Sequence, residues 1–153
     1  MRPQLLQFRD EAGTELFDLR DAPRPPEATS ALARLLAAFD NLLLSHADRR
    51  RVMTAPAQEH LLGIRNGILP NMFLLDGFVA GTWTLELRRG AARLTSEPFG
   101  TLTTADRTEL TAEAERLLHL AAEGAGQADV VFVTPGSQSI GQQWCLLLTA
   151  RSE

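Results

Sequence analysis

The chain has 153 residues, 44% of them apolar and 22% charged, which suits one globular domain with a substantial core and excludes two full-sized domains. Its 15 basic and 19 acidic side chains give a formal charge of −4, which excludes a polycation of the histone type. The single cysteine, Cys145, excludes an intramolecular disulfide. No apolar run approaches the roughly 20 residues of a membrane span, and the first residues lack a signal peptide, so we expect a cytoplasmic protein without a membrane segment.

The N-terminal residues predict a β-hairpin. Two short apolar patches in residues 1–22 flank Asp10-Glu11-Ala12-Gly13, a sequence typical of a tight turn. Residues 23–30 are rich in proline, which prevents regular pairing and indicates a connector. We therefore expect an N-terminal hairpin, a connector, and an α+β core over residues 31–133.

The Ala- and Leu-rich segment from Ser30 to Val52 is not expected to form one long helix. Asp40 and Asn41 interrupt it, and both residue types favour caps and turns over helix interiors. Residues 32–39 suit a helix or a strand equally well. The second half is expected to be a short helix that begins at Asp40 or Asn41 and runs towards Arg49, followed over residues 53–66 by irregular structure that could include a turn of helix.

The clearest β signal lies between Ile68 and Pro98. Strands are predicted at residues 72–75, 78–87 and 92–97, with turns at Asp76-Gly77 and Arg89-Gly90. In the middle strand Trp83, Leu85 and Leu87 alternate with polar residues, so one face should be apolar.

A helix is predicted over residues 103–123, where cap-type residues and early acids precede a stop at Gly124. Its apolar stripe should pack on the sheet, and it consists of Leu110, Ala114, Leu117, Leu118 and Ala121. A short buried strand should follow at residues 129–133, whereas residues 134–153 form a tail of uncertain structure. These elements predict an α+β fold: a β-rich meander or partial barrel with one packed C-terminal helix and short helices.

The charges are segregated along the sequence. Residues 41–100 hold seven arginines against five acids, and residues 101–130 hold two against six. Six of these arginines could bind phosphate, since a guanidinium offers a fork of donors to phosphate oxygens: Arg49, Arg50, Arg51, Arg88, Arg89 and Arg93. Two solvated clusters on the surface remain the alternative. Asn41 and His46 are the polar candidates beside the first cluster, with local capping as their alternative role.

The sequence offers no catalytic constellation, metal site or cofactor motif. His60 and His119 have no neighbours at metal-ligand spacing, and no glycine-rich phosphate loop or nucleophile elbow is present. Cys145 has no histidine nearby in sequence to activate it. We therefore assign no catalytic residue, no metal and no cofactor.

Two stretches, FDNLLLSHADRRRV at residues 39–52 and GILPNMFLLDGFVAGTW at residues 67–83, carry a family resemblance. With them the chain resembles the C-terminal portion of winged-helix DNA-binding-domain proteins related to the AlkZ-like DNA glycosylases. Such proteins carry tandem winged-helix units ahead of a β-rich domain, and together these form a concave surface for duplex DNA. The resemblance extends to VVFV at residues 130–133 and does not include the tail.

The resemblance implies double-stranded DNA as a partner more strongly than it implies glycosidic bond cleavage. The chemistry of the repair enzymes is associated with a Gln-containing motif in the N-terminal winged helix, which has no counterpart here. We therefore expect a DNA-binding domain, the C-terminal fragment of a glycosylase-related protein, without catalysis by this chain alone. The alternative is a non-catalytic module that docks on a separately encoded winged-helix polypeptide, which the apolar patch at residues 144–148 favours.

Overall fold

The computed structural model describes residues 5–45, 47–62, 69–121 and 127–133. The chain forms two compact units, Met1–Ser30 and Ala31–Glu153. The first unit is a two-stranded antiparallel sheet of β1 (Leu5–Arg9) and β2 (Glu15–Leu19), as the sequence predicted. Its turn is closed by Asp10, whose carboxylate accepts a hydrogen bond from the backbone N–H of Thr14 at 2.7 Å. Gly13 supplies the left-handed backbone that this turn requires, with φ +81°.

The second unit contains a five-stranded mixed sheet whose spatial order follows the chain. Its strands are β3 (Arg34–Leu36), β4 (Met72–Leu75), β5 (Phe78–Arg88), β6 (Ala91–Pro98) and β7 (Gln127–Phe132). The first four pair antiparallel, which confirms the predicted meander, and β7 adds to β6 in parallel. The sheet is open, with β3 and β7 at the edges of its described part, and the fold class is α+β.

Within the described residues, three helices accompany the sheet: α1 (Asn41–Leu44), α2 (Ala55–Leu62) and α3 (Thr104–Ala121). Helix α3 connects β6 to β7, since two parallel neighbours need a crossover. Its start is fixed by a reciprocal cap in which Asp106 accepts from the backbone N–H of Thr103 at 2.8 Å and donates its own N–H to the Thr103 hydroxyl at 3.1 Å. Leu110, Ala114 and Leu118 are buried as predicted, whereas Ala121 is exposed.

Both faces of the sheet are covered near β4, which explains the uninterrupted apolar sequence of this strand. Phe73 and Leu75 point to one side and pack in a cluster with Trp83, Leu94 and the buried face of α3; we call this side the α3 face. Alternate residues of β4 pack in a second cluster on the other side, the α2 face, with residues of α1, β5 and α2: Met72, Leu74, Leu43, Val79 and Ala57. A strand buried on both faces reads as a continuous apolar run.

The structure decides two points that the sequence left open, at β3 and at α2, and differs from the expectation in the length of α1. The ambiguous residues 32–39 contain the short edge strand β3. Helix α1 ends at Leu44, well before Arg49. The segment expected to be irregular contains the two-turn helix α2, because Pro56 lies in its first turn, where a missing N–H costs no hydrogen bond.

The apolar face predicted for β5 is only partly buried. Trp83 is buried, Leu85 is half-buried, and Leu87 is 57% exposed because it lies beyond the reach of α3. The predicted buried strand at residues 129–133 is half-buried, since β7 is an edge strand.

Candidate functional site

The arginine triplet lies in the segment that follows α1. Asp40 begins this helix, its carboxylate accepting from the N–H of Leu42 at 2.8 Å, so the Asp-Asn break predicted from sequence is confirmed. Asn41 is exposed at the first position of α1. The other polar candidate, His46, lies outside the described residues.

Asp48 organises the triplet by binding the side chain and the backbone of Arg50. Its two carboxylate oxygens accept from Nε and Nη2 of Arg50 at 2.6–3.1 Å, and one of them also accepts from the Arg50 backbone N–H at 3.0 Å. The hydrogen bonds from Arg50 lower the pKa of Asp48 from 3.8 to about 2. Arg50 is thus neutralised locally, although its side chain is 80% exposed.

Arg49 and Arg51 differ from Arg50. The Nε atom of Arg49 is buried and has no hydrogen-bond acceptor in the described part of the chain. Arg51 is exposed, and no carboxylate of the described residues lies within ion-pair distance of it. The segment is anchored to the sheet next to these residues, because the N–H of Val79 at the start of β5 donates to the carbonyl of Val52 at 2.8 Å.

The second arginine group decorates the hairpin of β5 and β6. Arg88 pairs with Glu86 at 3.3 Å, and Arg93 pairs with Asp129 of β7 at 3.6 Å. Arg89 is exposed in the turn, where Gly90 has φ +79°, and within the described ranges it has no ion-pair partner. Two of these three guanidinium groups are therefore already matched by a carboxylate.

The triplet segment and Arg88 of the second group lie on the same side of the sheet but near opposite ends of β5. Thr82 pairs with Met72 of the α2 face, and the alternation along β5 places Arg88 on that face; the triplet segment packs there through Val52. From Val79 to Arg88 the strand rises about 30 Å. The structure therefore forms two separate cationic positions on one side and does not bring the six arginines into one compact patch.

A groove of about 280 Å³, which no sequence motif had indicated, lies between the start of α2, the start of β5 and the loop before α3. Thr54, Val79, Phe99 and Asp106 are among its lining residues. Beside it the ring of His60 stacks on Phe99 with 4.4 Å between ring centroids. The contact joins residues distant in sequence, so no local pattern could have revealed it.

Neither a metal-binding cluster nor a membrane-spanning helix occurs among the described residues. Within these ranges no three His, Cys, Asp or Glu side chains gather closely enough to hold a metal ion. None of the described helices combines the length and the apolar character that crossing a bilayer requires.

Comparison with known proteins identifies the family of this chain. The model of the family "DNA glycosylase AlkZ-like" matches residues 1–120, and the chain belongs to this AlkZ-like family. No curated protein matches the chain.

Among solved structures, the chain is similar to DNA glycosylase AlkZ of Streptomyces sahachiroi, with a TM-score of 0.58 and 24% sequence identity. The match covers 85% of this chain and 34% of that one, so the chain spans about a third of the length of the solved relative. This likeness shows a shared fold.

Proposed function

We propose that this chain is a non-catalytic, DNA-binding part of a protein related to DNA-repair glycosylases, and that double-stranded DNA is its partner. The observation that carries the proposal is the position of the two arginine groups near the two ends of β5. Arg51 and Arg89 are exposed and without an ion-pair partner among the described residues, and each belongs to one of the two cationic positions about 30 Å apart along β5. Duplex DNA rises about 3.4 Å per base pair, so one duplex of about nine base pairs spans both.

These side chains position the duplex and do not read its sequence. Arginine contacts to phosphate carry most of the affinity and no base information. Arg88 and Arg93 contribute by exchanging an exposed carboxylate partner for a phosphate; exposed ion pairs are worth about 0–1 kcal/mol, so the exchange costs little. Arg50 belongs to the same surface, but Asp48 holds its guanidinium and competes with a phosphate for it. Arg49 and Asn41 belong to the surface around α1, and His46 is a further candidate from the sequence. A role in binding chromosomal DNA fits the cytoplasmic location expected from the sequence.

The test is binding of a labelled duplex by the full chain and by the double variant Arg51→Ala/Arg89→Ala. We expect the double variant to bind at least tenfold more weakly at low salt, since two phosphate contacts are lost. The matched control is Arg116→Ala, which removes an exposed cation of α3. Equal affinity of the double variant and the control would reject the proposal.

A second candidate function is docking on a separately encoded winged-helix polypeptide. The first unit favours it, because a two-stranded hairpin is marginally stable alone and this one leaves Phe17 54% and Leu19 60% exposed. Co-expression with a winged-helix polypeptide of the same family tests this candidate. A complex lost in the variant Phe17→Ser/Leu19→Ser supports docking, and a complex unaffected by these substitutions contradicts it.

A further inference from the structure

Phe39 occupies a backbone conformation that a phenylalanine rarely adopts. The carbonyl of Ala37 accepts from the N–H of Asp40 at 3.2 Å, which closes a four-residue turn with Phe39 in third place. Phe39 has φ +62°, and in the described part of the chain only Asp76 shares this feature among non-glycine residues. Glycine or asparagine is usual at such a position, and a bulky aromatic residue is an outlier.

The structure around the turn holds it in place from both sides. The side-chain oxygen of Asn71 accepts from the N–H of Ala38 at 2.7 Å, and the backbone carbonyl of Asn71 accepts from the N–H of Trp83 at 3.0 Å. On the other side Asp40 caps α1. The turn is therefore fixed to β5 and to α1, which explains how an unfavourable φ persists.

The ring of Phe39 is only partly packed against the rest of the chain. Leu36 and Leu42, three residues away on either side, pack in the apolar cluster on the α2 face, whereas Phe39 belongs to neither cluster and is 52% exposed. A glycine at this position would relax the backbone and would give up the buried part of Phe39, about half of its surface. The fold thus presents an aromatic ring to the solvent on a rigid support.

We propose that Phe39 stacks on an unpaired nucleobase of bound DNA. The proposal rests on the proposed function and adds a contact to a base where the arginines contact phosphates. Helix α1 has four residues and is about 6 Å long; Phe39 lies two residues before its first residue, and Arg49 lies five residues after its last. An aromatic ring stacks on any base, and a base is released from the duplex stack most readily opposite damage or a mismatch.

The test uses the full chain and a duplex in which the fluorescent base 2-aminopurine lies opposite an abasic site. Phe39→Asn removes the ring and supplies a residue that tolerates a positive φ, and Phe39→Trp keeps an aromatic surface. Phe78→Ala is the control, since Phe78 is similarly exposed at 44% but begins strand β5 with an ordinary φ. The thermal unfolding midpoint of each variant is measured in parallel.

For Phe39→Asn we expect an unfolding midpoint no lower than that of the original chain, together with affinity for this duplex weakened roughly 5- to 150-fold. The change in 2-aminopurine fluorescence on binding should disappear in Phe39→Asn and persist in Phe39→Trp and Phe78→Ala. A Phe39→Asn chain that binds and changes the fluorescence like the original overturns the proposal while leaving the proposed function intact. An original chain that binds no duplex overturns both. If Phe39→Asn does not fold, Phe39→Leu gives the same comparison with an apolar side chain.

Discussion

Asp48 and Arg50 are joined side chain to side chain and side chain to backbone, two residues apart within the segment that carries the arginine triplet. The carboxylate thereby competes with any phosphate for the Arg50 guanidinium. The positive charge that the arginine triplet offers to a phosphate is consequently lower than its sequence suggests, because Asp48 offsets the charge of Arg50.

Replacing Asp48 by Asn should strengthen DNA binding. The substitution removes one negative charge and releases Arg50 for a phosphate, so the slope of log K against log salt should steepen by about 0.9. Titration of a labelled duplex at several salt concentrations measures the slope. Glu115→Gln, which neutralises an exposed carboxylate on α3, should leave it unchanged; an equal effect of both substitutions would point to net charge alone.

The stabilisation that the Asp48–Arg50 pair gives to the folded chain depends on pH in one direction. Arg50 holds the pKa of Asp48 at about 2 against 3.8. A folded-state pKa below the unfolded value means that the stabilisation is fully present above about pH 4 and is lost as the pH falls towards 2. NMR titration of the Asp48 carboxyl carbon should give a midpoint near 2, and Arg50→Ala should raise it towards 3.8. A midpoint near 3.8 in the original chain would contradict the pair.

Gly81 should not tolerate a side chain. A Cβ there would lie 2.4 Å from the Glu97 carbonyl oxygen and from the ring of Phe73, both held by the sheet and the core. We expect Gly81→Ala to lower the free energy of unfolding by about 1–3 kcal/mol or more in urea titrations. Gly100→Ala, where a Cβ meets nothing within 4 Å, should change it by less than about 0.5 kcal/mol.

Trp83 supports the turn that carries Phe39. Its indole N–H donates to the carbonyls of Leu36 and Met72, each at 3.0 Å, and so ties β3 to β4 and β5. Trp83→Phe removes the donor and leaves buried acceptors, which should cost about 1–3 kcal/mol of unfolding free energy. Leu87→Ala, at an exposed position of the same strand, is the control. Equal stability of the two variants would show that the indole hydrogen bonds contribute nothing.

Much of the fold follows from local sequence signals. The start of α1 could be predicted from Asp40, because an aspartate side chain caps a helix. The turns at Gly13, Gly77 and Gly90 have the positive φ that such turns require. The strand at residues 34–36 could not be distinguished from a helix, since its state depends on pairing with β4, which is distant in sequence.

The candidate site was less predictable than the fold, because its contacts join residues that are distant in sequence. The arginines were visible in the sequence, but Arg93 finds Asp129 only through the parallel pairing of β6 and β7. Phe39 gave no signal at all, because its positive φ arises from hydrogen bonds to a residue as distant as Asn71. Local patterns report elements and turns, whereas charge matching and strain are set by tertiary contacts.

The central claim is that this chain binds duplex DNA through phosphate contacts, and the salt dependence of binding tests it most directly. With Arg51 and Arg89 each contacting one phosphate, the plot of log K against log salt should fall with a slope of at least about −1.8, and the double variant Arg51→Ala/Arg89→Ala should lose about that amount. A slope near zero, or a slope that the double variant leaves unchanged, would contradict the claim.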